Sequence, residues 1–354
     1  MATLRTFTSS VLPARERGLE FGAAHAPGVR RTAAVYADLF ARRGAPGFDA
    51  RAWAGRFREV IGDVDPEAQT EIAGIAEGAG VDELDVVAVN ARTEILAKAD
   101  PRGERECSTV LVTPPGGPAY AVQTWDWYAD MAGNWLKWRI PQPEGGWLET
   151  VTEYGLLAKI GVSSRGVGVM LNILHHESDD NDDVALPVHL VSRRILAAAR
   201  SCDEALAMCY DTHVAASTAL TVFDPDGGAS MELFPDGPGV LGPTDRLLVR
   251  TNHFVSEEGR AGCLTYTHYP STRIRFDWLD RVLRREGPTS ALDVVKAMDH
   301  HDPAGGVCRH PEAELPAWQR TATLATVVAE PGVPRLQARA GGPCGHAGGH
   351  PWPS

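Results

Sequence analysis

Nowhere does the 354-residue sequence hold an uninterrupted apolar run of the ~18 residues that a membrane-crossing helix needs. The opening MATLRTFTSSVLPARERGLE also lacks the ~7–15-residue apolar stretch of a secretory signal. Basic residues are in deficit, 34 Lys and Arg against 46 Asp and Glu, a formal net charge of −12. That balance argues against a general binder of phosphate backbones, which needs a basic face. No CxxC pair occurs, and no GxGxxG or P-loop string follows a strand pattern, so nucleotide cradling through such a loop is unsupported. The six cysteines are sparse and irregularly spaced, and in a chain this long without a signal they read as reduced thiols in a cytoplasmic protein. Internal repeats and low-complexity linkers are missing as well.

What is present is a soluble, loop-rich, globular composition: 44% hydrophobic residues, 36 glycines and 25 prolines. Length alone sets a soft prior of two domains. Residues 14–80 carry apolar positions at helical spacing, punctuated by Pro27. Within them, PEAQTEIAGIAEGAG (66–80) has proline in its first turn and glycines at its end. The spacing predicts a further helix over 82–100. From 108 the pattern turns to β-branched and aromatic strands, at 108–115, 120–127, 135–143 and in short pieces over 148–176. Helices are expected at 186–201 and 202–210, strands near 217–235 and 245–254, helices at 271–287 and 290–301, and strands again over 320–344. This order suggests a sheet layered between helices, and it alternates too irregularly for a TIM barrel or Rossmann domain.

Several residues could carry chemistry. Cys107 sits between the charged turn PRGERECS and the strand STVLV, so a cut before it would leave a thiol and a free amine at a strand's start. An α-amine, with a pKa of roughly 7.7–8.0, suits acceptance of the thiol proton. The ordinary alternative is a half-buried cysteine at a strand edge. Asp126 lies between Trp125 and Trp127, either as ion-paired structure or as a site carboxylate with a tuned pKa. Asn252 and His253 end the strand RTNHF, where an amide could stabilise an oxyanion or simply form a turn. Trp125, Trp127 and Tyr128 are candidate walls for an apolar acyl chain or core packing. HHESDDNDD (175–183), DHHD…CRH (299–310) and CGHAGGH (344–350) look metal-like in composition, yet match no HExxH, paired CxxC or EF-hand spacing. They read as solvated loops with incidental histidines, and no metal is expected. A metal-dependent hydrolase using His300, His301, Asp302 and His310 is the weaker enzymatic alternative.

NARTEIL (90–96), ECSTV (106–110), QTWDWY (123–128), TEYGLLAKIGVSSRGVGVMLN (152–172), PVHLVSRRIL (187–196), RTNHF (250–254), STRIR (271–275), CRHPEAELPAWQRTATLATVV (308–328) and GGPC (341–344) occur in this order. Together they resemble the acyl-coenzyme A:6-aminopenicillanic acid acyltransferase family. This branch of the N-terminal-nucleophile hydrolases is related to penicillin V acylases and conjugated bile acid hydrolases. The resemblance implies an α+β fold, a four-layer αββα sandwich forming one domain over 1–354. It implies self-cleavage between Glu106 and Cys107, leaving a helical 1–106 chain and a catalytic 107–354 chain that stay partnered. It implies Cys107 as nucleophile, Asp126 contacting its amine and thiol, and Asn252 with the backbone N–H near Ser163 as oxyanion donors. Arg275 and Gln123 match family positions in the site. Where the family's namesake has glycine before the cysteine this chain has Glu106, and many relatives have asparagine at Ser163. The implied substrate is a small N-acyl compound or acyl-coenzyme A thioester, with no cofactor, no nucleic acid and no membrane partner, and with oligomerisation open. A catalytically silent relative that binds acylated small molecules is the alternative of another class.

Overall fold

The computed structural model describes residues 4–100 and 107–345. Glu106, one side of the expected cleavage bond, lies outside the described residues. After a short strand β1 (Thr6–Thr8) come six helices: α1 (Ala14–Ala24), α2 (Ala26–Arg43), α3 (Ala50–Val64), α4 (Pro66–Ala79), α5 (Glu83–Asn90) and α6 (Arg92–Ala99). Their starts follow local chemistry. Asp49, Asp65 and Asp82 each accept backbone N–H bonds at a helix N-terminus, and Pro66 occupies the first turn of α4 where its missing N–H costs nothing. Gly80, at φ 64°, ends α4 in the left-handed conformation.

The glycines of α1 and α4 have a second task. A Cβ on Gly18 would overlap the carbonyl oxygen of Glu71, and one on Gly22 that of Ile75. Reciprocally, Gly74 abuts Arg15 O and Gly78 abuts Leu19 O. Glycines four apart on each helix therefore let the two backbones touch directly. The helix expected over 82–100 is divided at Ala91. Asn90 marks the division. Its amide donates to Val86 O and to Gly155 O, and its oxygen accepts from Leu157 N, drawing the helix end onto a distant loop.

Strands β2 (Cys107–Val112), β3 (Tyr120–Tyr128), β4 (Trp135–Pro141), β5 (Trp147–Glu153), β6 (Ile160–Ser163) and β7 (Gly168–Ile173) follow, then α7 (Val188–Ala198) and α8 (Cys202–Tyr210). Next come β8 (Thr218–Asp224), β9 (Gly227–Phe234), β10 (Gly237–Leu241) and β11 (Leu247–Arg250). Helices α9 (Glu257–Arg260), α10 (Leu264–His268), α11 (Ser271–Glu286) and α12 (Ala291–Met298) precede β12 (Thr321–Glu330) and β13 (Arg335–Ala340). An eight-stranded sheet runs β1-β4-β5-β6-β7-β8-β9-β10, and a five-stranded sheet runs β11-β2-β3-β12-β13. All pairings are antiparallel except β1 with β4.

The sheets face one another, with β2 against β7 and β13 against β5 and β6. Helices α7 and α8 cover the outer face of the larger sheet, and α11 and α12 that of the smaller. The fold is α+β, an αββα sandwich, as expected. Burial on both faces explains why YAVQTWDWY in β3 is buried at every position despite its polar members. One apolar core spans α2–α6 and the space between the sheets; a second, around Val110, Val122, Leu279, Val294 and Val328, lies beneath α11 and α12. All six cysteines are free thiols. Among the described residues no helix is long and apolar enough to cross a membrane.

The helical front is bound to the sandwich by buried charges. Arg92 Nε donates to Glu153 Oε2 at 2.9 Å, with both side chains wholly excluded from solvent. Tyr36 Oη donates to the other Glu153 oxygen at 2.5 Å and accepts from Trp127 Nε1 at 2.7 Å. Glu71 on α4 is shared by Arg17 and by Arg193 on α7.

Candidate active site

Cys107 opens β2, an inner strand of the smaller sheet, paired opposite Trp125 of β3. Its backbone nitrogen donates to Asn252 Oδ1 at 2.7 Å. Its carbonyl accepts from Asn172 Nδ2 at 3.1 Å and from Arg275 at 2.8 Å. Arg275 is completely buried and also donates to Ser108 Oγ (2.8 Å) and Asn252 Oδ1 (3.0 Å). One guanidinium thereby holds both the strand start and the asparagine in a single geometry.

Asn252 is fixed from several directions. Its N–H donates to Thr272 Oγ1 at 2.9 Å, and its side-chain amide donates to Ile173 O at 2.8 Å. The flanking turn is clamped by Arg250, which pairs with buried Glu232 and donates to His253 O. Glu232 also accepts from Val255 N and Ser256 N. His253 is pushed down to about 3 by burial and the surrounding arginines, so it sits neutral beside Thr272.

Asp126 is 1% exposed, and neither carboxylate oxygen has a hydrogen bond of good geometry. Thr323 stands opposite it in the β3–β12 register, and the register slips just beyond, between Thr323 and Ala325. Bulges of this kind re-aim side chains beside functional sites. Burial raises the Asp126 carboxyl to about 7 against the opposing pull of Thr323, Arg275 and Lys159. The thiol of Cys107 reaches the Asp126 backbone carbonyl at 3.9 Å. The Cys107 nitrogen thus donates to Asn252, and the contact of the thiol with Asp126 runs through the aspartate's backbone carbonyl.

Lys159, preceding β6, was not singled out from the sequence. It is 1% exposed, with Nζ 3.5 Å from the Trp125 ring centroid and 5.5 Å from that of Trp127. Burial drives it down to about 7. Its charge favours the Cys107 thiolate, while burial and Asp126 oppose it, and the net displacement of the thiol is upward. The one sequence signal was a lysine inside the otherwise apolar run LLAKIGV. Asn172 and Thr272 also escaped attention, since each stands inside a longer motif without a telltale spacing.

Other expectations fare differently. Ser163 does not join the site: its N–H already donates to Val167 O at 2.8 Å in the β6–β7 turn. Asn172 is the part of β7 that meets Cys107, and Ser163 lies at the far end of that hairpin, on the order of 17 Å along the strands. Gln123 ties the two sheets, donating to Leu171 O at 2.6 Å. Trp125, Trp127 and Tyr128 are buried, with Trp127 bonded to Tyr36 and lying beneath Arg92 and with Trp127 and Tyr128 packed edge to face. All three side chains are packed into the interior. The set His300, His301, Asp302 and His310 does not converge. His300 stacks on Trp278 and Asp302 accepts from Ala304 N, while His301 and His310 do meet.

The geometry so far is that of a cysteine at a strand start, its nitrogen held by an asparagine amide beside buried acid and base. Residues 112–343 match the family described as acyl-coenzyme A:6-aminopenicillanic acid acyl-transferase. A curated relative from Emericella nidulans, the acyl-coenzyme A:6-aminopenicillanic-acid-acyltransferase 40 kDa form, is 29% identical over 195 residues, 55% of this chain and 54% of that protein. The chain thus matches about half the length of that relative. Among solved structures, a Caenorhabditis elegans N-acylethanolamine-hydrolyzing acid amidase ortholog superposes with a TM-score of 0.45 at 13% identity, over 64% of this chain and 93% of the other. Penicillin V acylase from Agrobacterium tumefaciens does so at 0.47 and 12%, over 66% and 83%. With the family match spanning most of the sequence, this chain belongs to the acyl-coenzyme A:6-aminopenicillanic acid acyl-transferase family.

Proposed function

We propose that this protein is a self-processing cysteine amidohydrolase or acyltransferase that works on small N-acyl compounds or acyl thioesters through an acyl-enzyme at Cys107. The observation that carries this reading is the hydrogen bond from Cys107 N to Asn252 Oδ1, made at a strand start where Arg275 holds both partners. The Cys107 N–H lies beyond the end of the β11 ladder, and the Asn252 side chain supplies the partner that a buried N–H requires. That partner suits a nitrogen that becomes a reacting amine.

In processing, the Cys107 thiol adds to the Glu106 carbonyl carbon, and the Glu106–Cys107 amide breaks as its nitrogen takes up a proton. Water then hydrolyses the resulting thioester, leaving a Glu106 carboxylate, a free thiol and an α-amine. That amine, at roughly 7.7–8.0 before perturbation, removes the thiol proton when substrate binds. The thiolate attacks the acyl carbonyl. Asn252 Nδ2 keeps a second hydrogen beyond the one given to Ile173 O and can donate it to the oxyanion. The leaving amine, or the leaving thiol of an acyl-coenzyme A, departs with the proton from the Cys107 ammonium. Water or a bound amine then takes the acyl group, giving hydrolysis or transfer. No cofactor enters these steps.

Intact-mass analysis of purified protein is the direct test. Two chains divided at Glu106–Cys107, with Cys107 labelled by an acyl-like electrophile before the other thiols, are expected. A chain that stays whole and shows no thiol-dependent turnover of N-acyl amino acids, penicillins, N-acyl homoserine lactones or acyl-coenzyme A rejects the proposal.

A further inference from the structure

Outside the Cys107 network, His301, Cys308, His310 and Cys344 bring one ligand atom each to a common point, all within 4.8 Å of one another. The residues come from separate places: His301, Cys308 and His310 from the loop between α12 and β12, and Cys344 from the turn that follows β13. We propose that these residues form a closed, tetrahedral Cys2His2 site for a structural zinc ion.

The distances fit. Bonds of about 2.3 Å to sulfur and 2.0–2.1 Å to nitrogen place tetrahedral ligands about 3.4 Å apart for N···N and about 3.6 Å for N···S. His301 Nε2 and His310 Nε2 are 3.1 Å apart, Cys344 Sγ is 3.5 Å from His310 Nε2, and Cys308 Sγ is 3.8 Å from it. Two neutral imidazole lone pairs facing each other repel unless a proton or a cation lies between them. The two rings lie nearly parallel, inclined by 11° with centroids 5.2 Å apart, and it is their Nε2 atoms that approach each other. Two thiolates and two imidazoles suit a borderline-soft ion such as zinc and disfavour magnesium or calcium, which take oxygen ligands.

The surroundings support the site. Asp299 Oδ1 stands 3.6 Å from the other ring nitrogen of His301, the carboxylate–histidine arrangement that orients metal-bound imidazoles. Gly342 has no side chain where a Cβ would overlap Cys308 Sγ, so the chain leaving β13 can pass close enough to deliver Cys344. His301 and His310 are exposed while Cys308 is buried, giving an ion a path from solvent. With four protein ligands no position is open for substrate, so the ion is structural. It also lies one residue from the catalytic framework: Arg309 N donates to Thr323 Oγ1 and Thr323 N to Arg309 O, and Thr323 faces Asp126. A metal that immobilises 308–310 immobilises the neighbour of the buried aspartate. The spacing CxH with distant His and Cys matches no familiar zinc string, which is why composition alone left these loops as solvated histidines.

Full-length protein purified under reducing conditions, stripped with chelator and titrated with zinc should bind one equivalent per chain and unfold at a higher temperature when loaded. Cobalt in place of zinc should give thiolate charge-transfer and tetrahedral ligand-field absorption. Cys344→Ser and His301→Ala should each weaken zinc binding by more than about 100-fold, beyond what loss of an outer-shell partner costs. Cys107→Ala should bind zinc like the wild type, which keeps this test separate from that of the proposed catalysis. Failure of the reduced wild-type protein to take up zinc or cobalt overturns the site. So does metal binding that survives Cys308→Ser with Cys344→Ser. Should the variants fail to fold, the cobalt spectrum of the wild type decides.

Discussion

The backbone nitrogen of Cys107 and the side-chain oxygen of Asn252 lie 2.7 Å apart across a sequence separation of 145 residues. Around this bond the sandwich assembles a guanidinium from α11, an amide from β7 and a buried aspartate from β3. Each comes from a different element, so the arrangement exists only when both sheets and their outer helix are in place.

Asn252 should therefore matter more to turnover than to binding. Asn252→Ala is expected to lower kcat by about 10²–10³-fold if its amide serves the oxyanion, with a smaller change in KM. Steady-state kinetics on processed enzyme checks this. Equal losses in kcat for Asn252→Ala and in stability for the whole fold would assign the residue to scaffolding instead.

The buried acid and base should leave opposite marks on stability. Asp126 titrates at about 7 when folded, against roughly 3.9 unfolded, so the native chain keeps a proton that the unfolded chain has released between those values. Stability attributable to Asp126 is thus full at low pH, falls as pH rises through about 4–7, and then levels. Lys159 titrates at about 7 when folded, against roughly 10.4 unfolded, so its contribution rises with pH between those values. Urea unfolding at stepped pH should show Asp126→Asn flattening the acid-side fall and Lys159→Met flattening the alkaline rise.

The α1–α4 contact should be intolerant of any side chain. Gly22→Val or Gly74→Val drives a side chain into a facing carbonyl and should cost at least ~3 kcal/mol, the upper end of ordinary overpacking. Gly55→Ala in α3, where a Cβ meets nothing within 4 Å, should instead stabilise by up to about 1 kcal/mol. Chemical denaturation of the three variants provides the comparison.

The helical front should remain attached after any cut before Cys107. Glu153 accepts from Arg92 and Tyr36 in a site without solvent, and removing one partner of such a pair typically costs ~3–5 kcal/mol. Processed wild-type protein should elute as one species in gel filtration and separate only in denaturant. Glu153→Ala should lose the N-terminal segment at markedly lower denaturant.

The helical character of the front, the strand block and the paired helices 186–210 were legible as local pattern, because caps, prolines and residue period are encoded within a few neighbouring positions; the break at Ala91 was not, since it depends on Asn90 bonding a distant loop. Cys107, Asp126, Asn252 and Arg275 were also legible, through ordered motifs resembling a known family. Their roles were less so. The amide that holds Cys107 N, the commitment of the Ser163 N–H to its own turn and the approach of Lys159 to Trp125 depend on register and sheet facing, which no local window contains.

The cysteines show the division most plainly. Sequence alone determined that they are few, irregular and unlike one another, and that one opens a strand after a charged turn. Tertiary structure decided the rest. Pairing of β11 with β2 brings Asn252 to Cys107, packing of α11 against the smaller sheet brings Arg275 there, and the return of the chain along β13 brings Cys344 back to Cys308 and two histidines. Contacts between distant segments arise from the burial of whole sheet and helix faces, and only the folded chain has those faces.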